Sequence, residues 1–231
     1  MPRKINSPNP KAKTRKKTVW MLAICGIVIP LVFVYVLFNK QTLNKGKIRS
    51  YLLSKEEVRQ LEALKSFGNR SEKQTKEMED EFLPLVLDVC NVGTSVTIRS
   101  HCAYALQKFA HKDDVASLLL GYLKVGTTGT TEQGEHLVRY SAALALARGE
   151  STDPKVREVL YVMLEDRDRS IRRQAAVQFH RVATQSDKVP LGIARDKATH
   201  DRKYRDPVVA RNLSYAIDML SLSQTPAKRT E

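Results

Sequence analysis

The stretch IRRQAAVQF, residues 171–179, places two alanines on a helix-forming segment where a core helix usually carries larger apolar side chains. Similar stretches begin at Ile98 (IRSHCAYAL), Val138 (VRYSAALAL) and Val209 (VARNLSYAI). The four first residues, called anchors below, are 40, 33 and 38 residues apart. Repeats of this length in helical sequence are typical of an α-solenoid, in which helical pairs stack side by side.

Small residues stand four and five positions after the first three anchors. A small side chain lets two helix axes approach to about 8 Å, whereas a larger one would overpack the contact at a cost of roughly 1–3 kcal/mol. We therefore expect packing between repeats at Ala103, Ala142, Ala143, Ala175 and Ala176. The last repeat departs from the pattern, since Leu213 and Ser214 stand there.

The segments between the anchors predict partner helices over residues 113–124, 153–164 and 187–200. Asp153 followed by Pro154 is the strongest of their start signals, because aspartate caps a helix and proline is favoured at its first position. Asp113 is the expected cap of the first of these helices. Upstream, a helix is predicted over residues 53–67 with Ser54 as its cap, and a buried helix over residues 81–90 with Pro84 in its first turn.

No segment has the alternating pattern of a strand, and residues 126–135 are expected to form a flexible loop. The predicted fold class is therefore all-α, a short α-solenoid preceded by one transmembrane helix.

The pattern that begins at the anchors resembles HEAT repeats. It consists of an apolar residue and Arg, followed by two small residues and Leu. The resemblance is to the short bacterial variety that also occurs in phycobilisome bilin lyases, and it covers residues 81–222. Families with this repeat mostly bind other proteins through a concave surface, and few of their members are enzymes. The resemblance therefore implies a protein-binding role.

An uncharged apolar run of twenty residues, residues 19–38, predicts a membrane-spanning helix. A cleaved signal peptide is the competing interpretation, but its apolar region would be shorter and a small-residue cleavage site would follow. The predicted organisation is a basic disordered tail (1–17), a transmembrane signal anchor (18–39), a linker with one helix (40–80), the HEAT-like α-solenoid (81–222) and a disordered tail (223–231).

The charge on the two sides of the predicted membrane-spanning segment predicts its orientation. Seven basic residues precede the apolar run, and four follow it at positions 40, 45, 47 and 49. The more basic flank of a membrane-spanning segment stays in the cytoplasm. We therefore expect a cytoplasmic N-terminus and an extracytoplasmic solenoid, on the periplasmic side of a bacterial inner membrane.

The formal net charge of +14 is unevenly distributed. Seven of these charges lie in residues 1–17, and from residue 41 onward 31 basic residues face 25 acidic ones. The basic character therefore does not by itself indicate nucleic-acid binding.

Residues 165–211 hold nearly all of the outer domain's basic surplus. The candidate binding surface for an anionic partner consists of Arg167, Arg169, Arg173, Arg202, Lys203, Tyr204 and Arg205. Tyr204 is included because an aromatic ring among cations can stack on a base. The competing interpretation is structural: arginines that follow the anchors (Arg99, Arg139, Arg172) would pair with Asp166, Asp168 or Asp206 of a neighbouring repeat.

Cys90 and Cys102 lie on neighbouring predicted helices. Two buried thiols are the favoured interpretation, and a disulfide in an oxidising compartment is the alternative. The five histidines form no metal-binding pair, and no phosphate-binding glycine loop is present, so we expect neither catalysis nor a cofactor nor a small-molecule substrate.

The sequence thus favours a membrane-anchored scaffold with an unidentified protein partner. A cytoplasm-facing solenoid that binds nucleic acid or anionic lipid is the alternative, and a bilin-lyase-like enzyme is a weaker one.

Overall fold

A computed structural model of the chain describes residues 43–93, 95–124 and 134–222. Every regular element in these residues is helical, which confirms the all-α class. The eleven described α-helices are α1 (Lys45–Leu52), α2 (Glu57–Gly68), α3 (Glu72–Lys76), α4 (Glu79–Val92), α5 (Val96–Leu106), α6 (Asp113–Tyr122), α7 (Glu135–Arg148), α8 (Pro154–Leu164), α9 (Arg169–Val182), α10 (Lys188–His200) and α11 (Pro207–Leu222). A 3₁₀ turn, Gln185–Asp187, precedes α10.

The helices form two layers. In the first layer α2, α5, α7, α9 and α11 follow one another, and each packs against the next. In the second layer α4, α6, α8 and α10 each pack on the first-layer helix that follows them in the chain. α1 completes the N-terminal end by packing on α2 and α4. Each pair of helices thus adds one step to the stack.

Polar caps fix where several helices begin. Asp153 accepts a hydrogen bond from the backbone N–H of Lys155 at 2.8 Å, and Pro154 opens α8, which confirms the start predicted there. Ser95 caps α5 through the N–H of Ile98, and Asp168 caps α9 through the N–H of Ser170 at 2.7 Å. These side chains satisfy donors that have no partner within the helix.

The segment over residues 40–80 differs from its prediction, because its described part holds α1, α2 and α3 rather than one helix. α2 begins at Glu57, four residues after the predicted start. The Ser54 hydroxyl accepts from the N–H of Glu56 at 3.1 Å, so it shapes the turn before the helix instead of capping it.

Two other expected starts are shifted. α4 begins at Glu79, which moves Pro84 out of the first turn. Pro84 and Asp80 are both exposed, so water can bond the Asp80 carbonyl that lacks its helical donor. Asp113 lies inside α6, whose cap position is Lys112, and it makes no capping hydrogen bond.

Among the described residues, no helix has both the length and the apolar character needed to cross a membrane. The described residues do not include the predicted transmembrane anchor, either predicted tail or most of the predicted loop at 126–135.

Candidate binding surface

The four anchors give the first-layer helices a common register. Ile98, Val138 and Val209 are buried, and the residues four positions later, including Cys102, are buried as well. In all four repeats, the residues three, six and ten positions after the anchor are exposed or half-buried. We call these twelve residues the free face: His101, Tyr104, Lys108, Ser141, Leu144, Arg148, Gln174, Val177, Arg181, Asn212, Tyr215 and Met219.

Contacts along the stack show which helix sides meet. The ring of His180 on α9 lies 5.7 Å from the ring of Tyr215 on α11. The hydroxyl of Tyr140 on α7 donates to Asp166, just before α9, at 3.2 Å. One side of each helix therefore faces its predecessor and the opposite side faces its successor, and the free face lies between them, with Tyr215 at its border toward α9.

The five alanines predicted at repeat contacts are all buried, with at most 1% of their surface exposed. Two glycines show how closely neighbouring segments of the chain approach. A Cβ at Gly68 would lie 2.6 Å from the Tyr104 ring, and one at Gly149 would lie 2.8 Å from the carbonyl carbon of Ala110. Small residues are required where the chain comes this close.

A shallow open groove of about 330 Å³ runs over the free face between α2, α5 and α7. Lys65, Ser100, His101, Tyr104 and Ser141 line it. The groove combines a cation, hydroxyl groups and an aromatic ring, which suits a ligand with both polar and apolar groups.

Hydrogen bonds hold the two rings of the groove in place. The Tyr104 hydroxyl donates to the side-chain oxygen of Asn69 at 2.6 Å. Nδ1 of His101 lies 2.8 Å from the carbonyl oxygen of Thr97, and this contact places a proton on Nδ1. In the neutral ring, Nε2 is then the remaining acceptor.

The basic surface predicted over residues 167–205 is partly used inside the fold. Arg169 and Arg173 both donate from Nε to Asp206, at 2.6 and 2.9 Å. The Tyr204 ring has the Lys197 ammonium 4.1 Å and the Lys203 ammonium 5.0 Å from its centroid. The ring that was expected to stack on a base is therefore already in contact with cations of the same chain.

Arg167, Arg202 and Arg205 are exposed. They lie in the turns that precede α9 and α11, and the structure does not bring them onto the free face.

Asp206 is completely buried at the start of α11. Burial pushes its pKa upward, but hydrogen bonds from Arg169, Arg173 and the backbone N–H groups of Val208 and Val209 outweigh it and hold the pKa of Asp206 well below its usual range. The carboxylate is thus ionised and fully engaged within the fold.

The structural interpretation of the anchor arginines needs correction. Arg172 donates to the backbone carbonyls of Asp166 and Arg167, at 2.8 and 3.0 Å, rather than to a carboxylate. Arg99 pairs with Glu135, at 3.8 Å, and not with an aspartate. The Asp206 pairing exists, but Arg169 and Arg173 make it, because these residues precede and follow the anchor on the side that faces α11.

The structure joins Cys90 on α4 to Cys102 on α5 in a disulfide. Both residues are buried, so the bond ties the two layers together within one helical pair. The sequence favoured two separate thiols, and it could not decide because spacing alone does not give the distance between two helices.

We found no group of three or more His, Cys, Asp or Glu residues able to hold a metal ion within residues 43–93, 95–124 and 134–222. Cys102, which follows His101, is held in the disulfide and presents no thiol.

The free face was missed at the level of sequence, although a signal for it exists. Counting ten residues from successive anchors gives Lys108, Arg148 and Arg181, a row of cations that ends at Met219. Counting six residues gives Tyr104, Leu144, Val177 and Tyr215. Comparing the repeats position by position would have shown both rows.

The sequence matches no known protein-family model, and it matches no curated protein.

Proposed function

We propose that the chain is a membrane-anchored α-solenoid of HEAT-like helical pairs that binds another protein through the free face and has no catalytic role. The observation that carries the proposal is the repeated register of α5, α7, α9 and α11. Four successive helices leave the same positions exposed or half-buried, so their side chains form one continuous surface rather than unrelated patches.

The end of the stack supports the solenoid. On α7 the side toward the next helix carries Tyr140, Ala143 and Ala147, all buried. The same positions on α11 hold Arg211, Ser214 and Asp218. A polar outer side is what a terminal repeat needs, because no further helix covers it.

The uncharged run over residues 19–38 supports the membrane anchor, and the charge of its flanks supports an extracytoplasmic solenoid. The Cys90–Cys102 disulfide adds to this placement, because disulfides persist in oxidising compartments and are rare in the cytosol. A reporter fused after Glu231 tests the orientation. We expect activity from a reporter that works only outside the cytoplasm, and activity from a cytoplasmic reporter would contradict the placement.

A cytoplasm-facing solenoid that binds nucleic acid or anionic lipid is the second candidate. The exposed Arg167, Arg202 and Arg205 favour it. Its support is reduced by the internal partners of Arg169, Arg173 and Tyr204, which leave fewer groups for phosphate or base contacts.

Site-specific photo-crosslinking in cells tests the proposed binding role. A photoreactive residue replaces Tyr104 or Val177 on the free face, and Asp114 or Glu158, which are exposed on the second layer, in matched controls. We expect discrete protein adducts from the free-face positions at several times the control yield. Equal yields from both layers, or none from either, would contradict the role of the free face.

A further inference from the structure

The free face carries charge of one sign. None of its twelve residues is acidic, whereas Lys108, just after the end of α5, and Arg148 and Arg181, on α7 and α9, form a row ten positions after successive anchors. We call these three residues the cation row. Lys65 of α2 borders the face in the groove, and Glu62 stands three residues before it on the same helix, so these two charges cancel and the excess of positive charge comes from the cation row.

The two arginines of the cation row are weakly neutralised by the protein. Arg148 is exposed and makes no ion pair in the part of the chain that the structure describes. Arg181 lies 3.9 Å from Glu150, but the Glu150 side chain is 72% exposed, and such surface pairs contribute little. Lys108 is half-buried, and its ammonium donates to the backbone carbonyls of Gly68 and Arg70 and to the Thr75 hydroxyl, so Arg148 and Arg181 are the members of the row that remain open to a ligand.

The second layer has the opposite charge beside α5 and α7. α4 and α6 contain no Lys or Arg, and their exposed charged residues are Asp80, Glu81, Asp88, Asp113 and Asp114. The second layer is therefore acidic at α4 and α6, whereas α8 and α10 carry Lys155, Lys188 and Lys197. Charge alone thus favours the free face over the surface of α4 and α6 for an anionic partner.

An apolar row runs parallel to the cation row. Tyr104, Leu144, Val177 and Tyr215 stand six positions after the anchors of α5, α7, α9 and α11, and the first three of them precede the cations by four residues. Tyr104, Val177 and Tyr215 are 39%, 41% and 53% exposed, and Leu144 is half-buried. A ligand that crosses the helices can therefore meet charge on one side and apolar surface on the other.

We propose that the free face binds an acidic, extended segment of the partner protein, with carboxylates on Arg148 and Arg181 and apolar side chains on the parallel row. The inference rests on the proposed function and adds the chemistry of the partner. The three steps from α5 to α11 span about 27 Å at ~9 Å per helix, which matches roughly eight extended residues. Side chains of an extended segment alternate between two sides, as the two rows require.

The number of cations argues against a nucleic-acid duplex at this face. Double-stranded DNA carries one charge per ~1.7 Å, or roughly sixteen charges along the same distance. Two open arginines flanked by apolar side chains fit a short segment with a few carboxylates better than a continuous polyanion.

The test measures binding of labelled peptides to the full-length protein in detergent. One peptide of about twelve residues alternates Glu with Val, Leu and Tyr, and a matched peptide has Gln at every Glu. The variant R148E/R181E reverses two cations of the row. Its control, K155E/K188E, reverses two exposed lysines of the second layer.

We expect the acidic peptide to bind at least about tenfold more tightly than its Gln counterpart, and R148E/R181E to lose about tenfold in affinity, since a few exposed charge pairs together supply roughly this factor. K155E/K188E should stay within about twofold of the parent protein. Equal binding of the two peptides, or equal losses in the two variants, would overturn the inference. Stronger binding of single-stranded oligothymidylate, or of mixed micelles that contain phosphatidylserine, through Arg148 and Arg181 would also overturn it, in favour of those ligands.

The two proposals fail separately. Protein adducts from Val177 in cells, together with no preference for the acidic peptide, would leave the proposed function standing and remove the acidic segment. Preference for the acidic peptide without adducts from the free face in cells would remove the proposed function.

Discussion

At the scale of single residues, Asp206 shows how one carboxylate connects two successive helices. It is fully buried, it accepts from Arg169 and Arg173 of α9, and its other oxygen accepts from the N–H of Val208 at 3.0 Å at the start of α11. The same side chain therefore caps one helix and anchors it to its neighbour.

Asp206→Asn should lower the free energy of unfolding by about 2 kcal/mol at neutral pH, because charge-assisted hydrogen bonds and a helix cap are lost together. The pKa of Asp206 is depressed in the folded state, so its contribution is present above the unfolded pKa of about 4 and is lost as the pH falls through the lower folded value. Urea denaturation at neutral and acidic pH measures both effects.

The control is Asp196→Asn, which changes an exposed carboxylate that pairs with the adjacent Arg195. Equal losses in the two variants, or a loss in Asp206→Asn that stays constant into strong acid, would contradict the role given to Asp206.

Tyr122 is a second residue whose polar group serves packing. Its buried hydroxyl donates to the carbonyl of Cys90 at 2.8 Å, and burial raises the pKa of Tyr122 to about 12, against an opposing effect of Arg99. We expect Tyr122→Phe to cost about 1 kcal/mol, because the Cys90 carbonyl loses its donor.

The raised pKa gives this effect a pH dependence. The stabilisation is fully present below the unfolded pKa of about 10 and is lost as the pH rises toward 12. The stability difference between Tyr122→Phe and the parent protein should therefore shrink between pH values of about 9 and 12. Tyr215→Phe, at an exposed ring, serves as the control, and a loss as large as that of Tyr122→Phe would count against this explanation.

At the scale of helices, the sequence predicts some starts and misses others for identifiable reasons. Asp153 and Pro154 act locally, so α8 could be placed without knowledge of its neighbours. α1 could not, because only Ile48 and Leu52 of its eight residues are buried and its sequence lacks a wide apolar stripe. Packing on α2 and α4 stabilises it, and such contacts are not visible in a local pattern.

The candidate site also has features that the sequence predicts and features that it does not. Burial of the alanines follows from helical periodicity, which the sequence contains. The partners of Arg169 and Tyr204 depend on how the turns before α9 and α11 fold against α10, which spacing does not determine.

The disulfide between α4 and α5 should stabilise the first complete helical pair. Replacing both Cys90 and Cys102 by Ala should lower the free energy of unfolding by about 3 kcal/mol, because the unfolded chain loses a cross-link. Reductant should lower the stability of the parent protein by a similar amount and leave the double variant unchanged. Guanidinium denaturation with and without reductant measures this, and a parent protein indifferent to reductant would show that the bond is absent.

At the scale of the whole stack, the first-layer helices have different tasks on different sides. One side packs on the second layer, two sides pack on neighbouring helices, and the free face remains. Neighbouring residues in the chain can therefore have unrelated roles. Ala143 is completely buried on the side toward the next helix, whereas the larger Leu144 is only half-buried on the free face. Hydrophobicity alone would predict the reverse order, so the space between the helices decides which side chain is buried.

The free energy of unfolding of Ala143→Leu compared with Ser141→Leu tests this division most directly. Alanine and serine differ by one oxygen atom, so the two changes add similar bulk to α7, two residues apart. Ser141 is half-buried and borders the open groove of the free face, which leaves room for a larger side chain.

We expect Ala143→Leu to lose about 1–3 kcal/mol through overpacking and Ser141→Leu to stay within about 0.5 kcal/mol of the parent protein. Urea denaturation of the two variants beside the parent protein measures the difference. Equal effects, or a larger loss in Ser141→Leu, would contradict close stacking at the alanines and with it the free face.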